Sequence, residues 1–196
     1  HVDVWKKGDE RTTYNMVYLD GGTGRAMVKR FNVKAVTRDK DYDLTTGKKG
    51  SRILYLTANP NGESEVIRVQ LSQSCRAKNK TFEFDFNDID IKGRRSKGNI
   101  LTRYPVRKME QLEVGQSTLG ALELWMDEVS GRLNTEERGK YLGAFDTGDL
   151  IIALYADGTY VLINPDPIAR IEVKQLLHVG KLNEDTVVSA IHYDGE

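Results

Sequence analysis

The sequence predicts an all-β protein assembled from repeated hairpins, and three observations carry this prediction. Short runs of β-branched, aromatic and aliphatic residues alternate with turns rich in Gly, Asn and Asp. The turns near Gly22 and Asn61 are about 38 residues apart, and those near Asp157 and Asp194 are about 37 apart. Helical periodicity is weak along the whole chain. A strand-rich repeat of about 40 residues is typical of propeller blades or of a related array, so we expect a series of repeated β-sheet units.

Four hairpins are expected, because in each of them turn residues that tolerate positive φ separate two β-rich runs. They occupy residues 16–33, 53–71, 122–131 and 150–163. At most one helical turn is expected at residues 108–112 and another at residues 135–140. Since no long linker interrupts the pattern, the chain is predicted to form a single domain over residues 1–196.

Charge is distributed unevenly along a chain whose formal net charge is zero. Residues 25–52 and residues 76–108 each carry a net charge of +6, whereas residues 109–196 carry −10. The neutral total argues against a nucleic-acid-binding protein, but the two basic segments favour a surface for a polyanion. The alternative is that both segments are ordinary solvated faces.

Composition also bears on the expected location. Cys75 is the only cysteine, so no internal disulfide can form, and the chain suits a reducing cytoplasm. No run of about 18 apolar residues predicts a membrane span. We therefore expect a cytoplasmic location.

The motifs that could support catalysis or metal binding are incomplete. Residues 39–43 alternate acids like a calcium loop, but Leu44 and Gly50 stand where that loop needs Gly and Glu. Residues 47–51 resemble a phosphate loop without its earlier Gly or its following helix. None of the three histidines lies at the spacing from another potential ligand that metal sites show. We therefore expect no catalytic residue, no metal site and no cofactor.

The basic segments supply the candidate binding residues. Residues 92–99 place four cations and two glycines in eight positions; Gly permits close backbone approach, and Lys and Arg neutralise phosphates. Neighbouring strand residues point to opposite faces, so Lys29 and Arg30 cannot both contact one partner. Since no recognition helix is predicted, binding to duplex DNA should tolerate any base sequence. The candidates for duplex DNA binding are Lys29, Arg30, Arg38, Lys48, Lys49, Arg52, Lys92, Arg94, Arg95, Lys97 and Arg103.

Five segments are similar in content and order to one known family, namely residues 18–32, 37–45, 53–63, 139–143 and 149–160. Through these segments nearly the whole chain resembles the C-terminal region of a bacterial type IIA topoisomerase A subunit. The resemblance implies a β-pinwheel, here a partial propeller-like ring of repeated four-stranded blades, whose basic rim bends DNA and feeds it to a cleavage core. It also implies that the parent enzyme is an ATP-dependent type II topoisomerase, with ATP hydrolysis in the partner B subunit. Because no position matches the family's catalytic Tyr, this fragment is expected to be non-catalytic.

The resemblance includes two kinds of enzyme, topoisomerase IV and DNA gyrase. Gyrase carries the box Gln-Arg-Arg-Gly-Gly-Lys-Gly on the rim, and residues 92–98 are the nearest stretch here. Arg94, Lys97 and Gly98 match that box, whereas Lys92, Gly93, Arg95 and Ser96 depart from it. The departure favours topoisomerase IV. Residues 94–97 are expected on one blade and residues 48–52 on the preceding blade. The alternative function is a propeller-like protein-interaction module without a role in DNA binding, which the neutral total charge favours.

Overall fold

The computed structural model describes residues 9–183, 187–189 and 191. In this part of the chain every regular element is a strand except the 3-10 helix Phe86–Asp88, which confirms the all-β prediction. No helix among these residues is long and apolar enough to cross a membrane. The strands are β1 Thr13–Asp20, β2 Arg25–Asn32, β3 Arg52–Asn59, β4 Val66–Leu71, β5 Thr81–Asp85, β6 Ile91–Gly93, β7 Asn99–Thr102, β8 Val106–Glu113, β9 Leu122–Met126, β10 Leu133–Asn134, β11 Lys140–Phe145, β12 Ile151–Tyr155, β13 Tyr160–Ile163 and β14 Leu176–Lys181.

The chain divides into two compact units, residues 1–120 and residues 121–196. The first unit contains a five-stranded sheet in the order β3-β1-β2, with β6 and β7 both paired to the outer edge of β2. A second sheet has the order β5-β4-β8. The second unit contains two three-stranded sheets, β10-β9-β11 and β13-β12-β14. Among the described residues these sheets hold three or five strands, which agrees with the predicted all-β, pinwheel-like fold, although the resemblance implies four strands in each blade.

Strand alternation gives the five-stranded sheet two apolar faces. Val17 and Val28 point to one face, where they pack against Ile67 and Phe86 of the neighbouring sheet. The opposite face carries a separate cluster formed by Met16, Tyr18, Met27 and Phe31, all less than 5% exposed. We call this second surface the Tyr18 face. Because both faces are apolar, β1 and β2 are buried over nearly their whole length.

The second unit has a core of its own. Leu124 and Phe145 from one sheet pack with Ile151 and Ala153 from the other, and Ile171 completes the cluster. Each of these five side chains is almost fully buried. Burying a Leu, Ile or Phe side chain stabilises a fold by roughly 1.5 to 3 kcal/mol, so this cluster stabilises the packing of the two sheets of the second unit.

Three of the predicted hairpins are confirmed and one is wrong. The pairs β1–β2, β9–β10 and β12–β13 are antiparallel neighbours, as the turn residues predict. Residues 53–71 do contain two strands, but β3 pairs with β1 while β4 pairs with β5 and β8. The connection cannot close a hairpin because it is tied elsewhere: the Ser117 hydroxyl donates to the Asn61 carbonyl, and Arg30 donates to the Gly62 carbonyl.

Neither of the two segments that could form one helical turn is helical. Residues 108–112 lie inside β8 rather than in a helical turn, because they supply the partner edge for β4. Residues 135–139 form bends before β11, which begins at Lys140. The turn expected near Asp194 lies outside the described residues.

Candidate nucleic-acid interface

Two segments cover the Tyr18 face of the five-stranded sheet. The first, residues 33–51, leads from β2 to β3, and we call it the strap. Its Val33 and Leu44 side chains pack on the apolar cluster of that face. The second, residues 94–98, joins β6 to β7, and we call it the basic turn. Both segments come from the basic stretches that the sequence singles out, so the sheet brings these stretches together.

The basic turn is forced to reverse direction close to β2. β6 runs parallel to β2 beside residues 30–32, whereas β7 runs antiparallel beside residues 26–28. A hydrogen bond from the Ser96 N–H to the Gly93 carbonyl, 2.9 Å long, closes the reversal. Gly98 then returns the chain with φ of +79°, and a Cβ there would overlap the Val28 carbonyl oxygen. Only Gly fits this position, because the backbone approaches β2 in a left-handed conformation.

Two buried side chains hold the basic turn from the sheet side. The Lys29 ammonium donates to the carbonyl oxygens of Arg94 and Ser96 at 2.8 and 3.2 Å. The Tyr18 hydroxyl donates to the Lys97 carbonyl at 2.7 Å. Lys29 also lies over the Phe31 ring, 4.8 Å from its centroid. Three carbonyls of one short turn are therefore anchored by strands β1 and β2.

Lys29 is unusually buried for a lysine, with only 2% of its surface exposed. Burial lowers the pKa of Lys29 to about 8, and the nearby Asp43 carboxylate opposes part of that shift. A buried ammonium is tolerated when it is hydrogen-bonded, as it is here to two carbonyl oxygens. Lys29 is thus an internal anchor, and its prediction as a DNA contact is corrected: its ammonium is directed at the protein backbone.

Arg94 joins the basic turn to the strap. Its guanidinium lies 3.7 Å from the centroid of the Tyr42 ring and donates to the Ala35 carbonyl at 2.7 Å. The Tyr42 hydroxyl in turn accepts from the Thr37 N–H at 2.9 Å. The contact with Thr37, together with Arg94, lowers the pKa of Tyr42. Half-buried Arg94 therefore connects the basic turn to the strap. For this contact it uses a guanidinium donor that the sequence assigns to phosphate.

The other end of the strap meets the β1–β2 turn. The Thr46 hydroxyl donates to Asp20 at 2.5 Å, and the Gly21 N–H donates to the Ser51 hydroxyl at 3.0 Å. Hydrogen bonds from Thr23 and Thr46 lower the pKa of Asp20, and the charge of Lys97 adds a smaller effect in the same direction. Asp20 thus lies within electrostatic reach of the basic turn while it is bonded to the strap. The placement of residues 48–52 and residues 94–97 on two blades is therefore wrong, because one sheet carries both.

Arg52 and Arg103 extend this basic region along the end of the sheet. Arg52 begins β3 opposite Leu19, and Leu19 lies opposite Ala26 in the next strand pair. Ala26 pairs with Thr102, the residue before Arg103. Both arginines are therefore at the end of the sheet that carries the β1–β2 turn.

Eight of the eleven predicted cations are exposed, namely Arg38, Lys48, Lys49, Arg52, Lys92, Arg95, Lys97 and Arg103.

Arg30 lies on the opposite face and is also buried, with 2% exposed. Its guanidinium donates to the Asn15 side-chain oxygen at 3.1 Å, to the Gly62 carbonyl at 2.8 Å and to the Thr118 hydroxyl at 3.0 Å. These bonds fix the connection between β3 and β4. The prediction of Arg30 as a DNA contact is corrected for the same reason as that of Lys29. The expectation that these neighbours point to opposite faces is confirmed.

Sequence reasoning missed the tyrosines that support the cations. Tyr18 pairs with Met27 in the hairpin register, and strand alternation places Met27 and Lys29 on the same side of β2. That parity could have placed Tyr18 beside Lys29. Tyr42 carried no comparable signal, because its partner Arg94 is 52 residues away and meets it only through tertiary structure.

The two units differ sharply in charge. The first unit has 23 Lys and Arg against 15 Asp and Glu, a net of +8, and the second has 6 against 14, a net of −8. The neutral total therefore hides a strongly basic unit, and that unit contains all the exposed cations of the predicted set. A basic surface of this kind attracts polyanions.

The comparisons with known proteins agree with these features. A family model described as the topoisomerase C-terminal domain of Bacteroidota matches residues 1–113 and 132–196. No curated protein matches the chain. The family match covers both basic segments and the sheets that carry them. On this match, which extends over most of its length, the chain belongs to the topoisomerase C-terminal domain family.

Proposed function

We propose that this domain binds duplex DNA through the exposed cations of the strap, the basic turn and the adjoining end of the five-stranded sheet. The observation that carries the proposal is the convergence of two separate basic segments on one sheet of the +8 unit. Lys48 and Lys49 come from the strap, and Arg95 and Lys97 from the basic turn. By bending the bound duplex, the domain would present a DNA segment to the strand-passage core of a topoisomerase.

Contacts of this kind should tolerate any base sequence. The exposed cations lie on turns and strand ends, and the described residues contain no α-helix that could enter the major groove. Turn cations neutralise phosphates and release counterions, which makes the affinity strongly dependent on salt. We therefore expect backbone contacts to supply nearly all of the binding free energy.

The finer assignment follows the resemblance. We assign the domain to a type IIA A subunit that acts with an ATPase B subunit in the cytoplasm, while the domain itself is non-catalytic. Residues 92–98 depart from the gyrase box at four positions, which favours topoisomerase IV over gyrase. A test is to attach the domain to a topoisomerase IV core and to measure whether the enzyme introduces negative supercoils; a supercoiling enzyme would reverse this assignment.

The direct test is a gel-shift titration of the chain with a random-sequence duplex of about 40 base pairs at low and physiological salt. The wild type should bind, and its affinity should fall steeply with salt. Replacing Lys48, Lys49, Arg95 and Lys97 together by Ala should reduce the salt slope by about three to four units, at about 0.9 per phosphate contact.

The control replaces four exposed cations of the second unit, Arg132, Arg138, Lys140 and Lys174, by Ala. It changes net charge equally and should leave the slope nearly unchanged. Absence of wild-type binding at low salt would contradict the proposal, as would equal losses in the two quadruple variants.

A second candidate function is protein interaction, favoured by apolar exposure in the second unit. Tyr160, Val161 and Leu162 of β13 are 63%, 46% and 46% exposed. Strand alternation places Tyr160 and Leu162 on one face of β13 and Val161 on the other, and neighbouring exposed apolar side chains are a common feature of protein-binding surfaces. A salt-insensitive protein partner, together with no affinity for DNA, would favour this alternative.

A further inference from the structure

The basic turn carries its exposed cations on a backbone that is fixed from one side. The carbonyls of Arg94, Ser96 and Lys97 are all directed at Lys29 and Tyr18. In a trans peptide the C=O and the following N–H point in opposite directions. The N–H groups of residues 95, 97 and 98 therefore point away from these two anchors, and the Arg95 and Lys97 side chains are exposed.

A fixed turn should bind phosphate more tightly than a mobile one. Ordering a residue's backbone costs roughly 1 to 2 kcal/mol, and a turn that is ordered before binding does not incur this cost when the ligand arrives. Lys29 makes two of the three side-chain hydrogen bonds to the turn carbonyls. It comes from β2, the strand on which β6 and β7 dock, so it lies directly beneath the turn.

We propose that Lys29 is a positioning residue of the DNA surface: without contacting DNA, it holds the basic turn in the conformation that presents Arg95 and Lys97 to phosphates. The inference rests on the proposed function. It separates two roles, whereas the sequence assigns the same role of DNA contact to all the candidate cations. Arg95 and Lys97 supply charge to the partner, whereas the Lys29 ammonium makes two hydrogen bonds to turn carbonyls and lies over the Phe31 ring, inside the protein.

The salt dependence distinguishes the two roles. Removing a cation that contacts phosphate lowers the slope of log affinity against log salt by about 0.9. Removing a positioning residue should lower affinity at every salt concentration and leave the slope unchanged, because the number of neutralised phosphates stays the same. Lys29→Met keeps a chain of similar length while it removes the ammonium.

The experiment measures duplex affinity at four salt concentrations for the wild type, Lys29→Met and Lys97→Ala, with hydrogen exchange of residues 93–99 in each. We expect Lys29→Met to lose affinity by about fivefold to tenfold with an unchanged slope and faster exchange in the turn. Lys97→Ala should lose about 0.9 of slope, with little change in exchange.

Arg30→Gln is the matched control for a general loss of stability. Arg30 is the neighbouring residue on β2, equally buried and also cationic, but it bonds on the opposite face. Arg30→Gln should lower the thermal midpoint and leave the DNA affinity of the folded protein within about twofold. If both variants reduce affinity equally at equal stability, Lys29 acts only through the fold and the inference is wrong.

Tyr18→Phe keeps the experiment decisive if Lys29→Met does not fold. It removes only the hydroxyl that donates to the Lys97 carbonyl. We expect a loss of about twofold to threefold in affinity at constant slope, with faster turn exchange. Wild-type affinity combined with faster exchange, in either variant, would overturn the positioning role alone. Absence of DNA binding in the wild type would overturn the proposed function together with it.

Discussion

The hairpins β1–β2 and β12–β13 are built alike but end in different surroundings. In each hairpin the first strand lies in the middle of a sheet. Its second neighbour, β3 beside β1 and β14 beside β12, pairs with a register shift, between Val17 and Tyr18 in β1 and between Leu154 and Tyr155 in β12. The outer edge of β2 is covered by β6 and β7. In the part of the chain that the structure describes, β13 pairs with β12 alone.

The difference shows where the basic surface comes from. β2 is buried over six consecutive residues, whereas three of the four residues of β13 are exposed. The strands that cover β2 also bring the basic turn, because residues 94–98 are the link between them. A hairpin of this kind is thus a general framework, and the segment added to its outer edge decides which charges the sheet presents.

The largest expected effect breaks the covering of β2. Gly98→Ala places a Cβ against the Val28 carbonyl at φ of +79°, so we expect a loss of about 3 to 5 kcal/mol in the free energy of unfolding. Gly158→Ala in the β12–β13 turn is the control: φ is +84°, but nothing lies within 4 Å of the new Cβ. That variant should lose only about 1 kcal/mol in urea denaturation. Equal losses would mean that the close approach to β2 contributes little.

The next effect concerns pH and Lys29. Its pKa falls from 10.5 to about 8 on folding, so below about pH 8 the folded protein bears the cost of a buried charge. Between about pH 8 and 10.5 the unfolded chain binds more protons, and stability contributed by this residue rises with pH. The stability of the wild type relative to Lys29→Met should therefore rise by about 2 to 3 kcal/mol between pH 7 and 10. A flat or falling difference in urea denaturation would contradict the burial of this ammonium.

A smaller effect sharpens the role of the strap. Arg94→Ala removes the stacking on Tyr42 and the bond to the Ala35 carbonyl, for which we expect a loss of about 1 kcal/mol and faster hydrogen exchange at residues 35–42. Arg95→Ala, the exposed neighbour, should change stability by less than about 0.5 kcal/mol. Similar exchange in the two variants would show that Arg94 does not order the strap.

The smallest effect tests the β12–β13 hairpin, whose β13 pairs only with β12 among the described residues. Tyr160→Thr on β13 alters a side chain that is 63% exposed, so the free energy of unfolding should change by less than about 0.5 kcal/mol. Met27→Ala on the covered β2, where 4% is exposed, should cost about 2 to 4 kcal/mol. A large loss from Tyr160→Thr would mean that β13 is also covered.

Sequence could predict what depends on neighbouring residues. The strands and turns of β1–β2 and β12–β13 follow from side-chain preference and from turn residues within ten positions. It could not predict that β6 docks in parallel on β2, because the three residues Ile91–Gly93 carry no sign of a partner 61 positions earlier. For the same reason the sequence predicts Lys29 and Arg30 as DNA contacts, whereas their burial depends on carbonyls supplied by distant segments.

The anchoring of the basic turn also fixes the order in which the surface can appear during synthesis. Lys29 and Arg94 are separated by 65 positions, and Tyr18 and Lys97 by 79. Closing loops of this length slows folding, so these contacts should form after the local hairpin. When β2 has just emerged from the ribosome, the two anchors of the basic turn, Tyr18 and Lys29, are still exposed to water. The chain gains an ordered basic turn only after residue 98 has emerged.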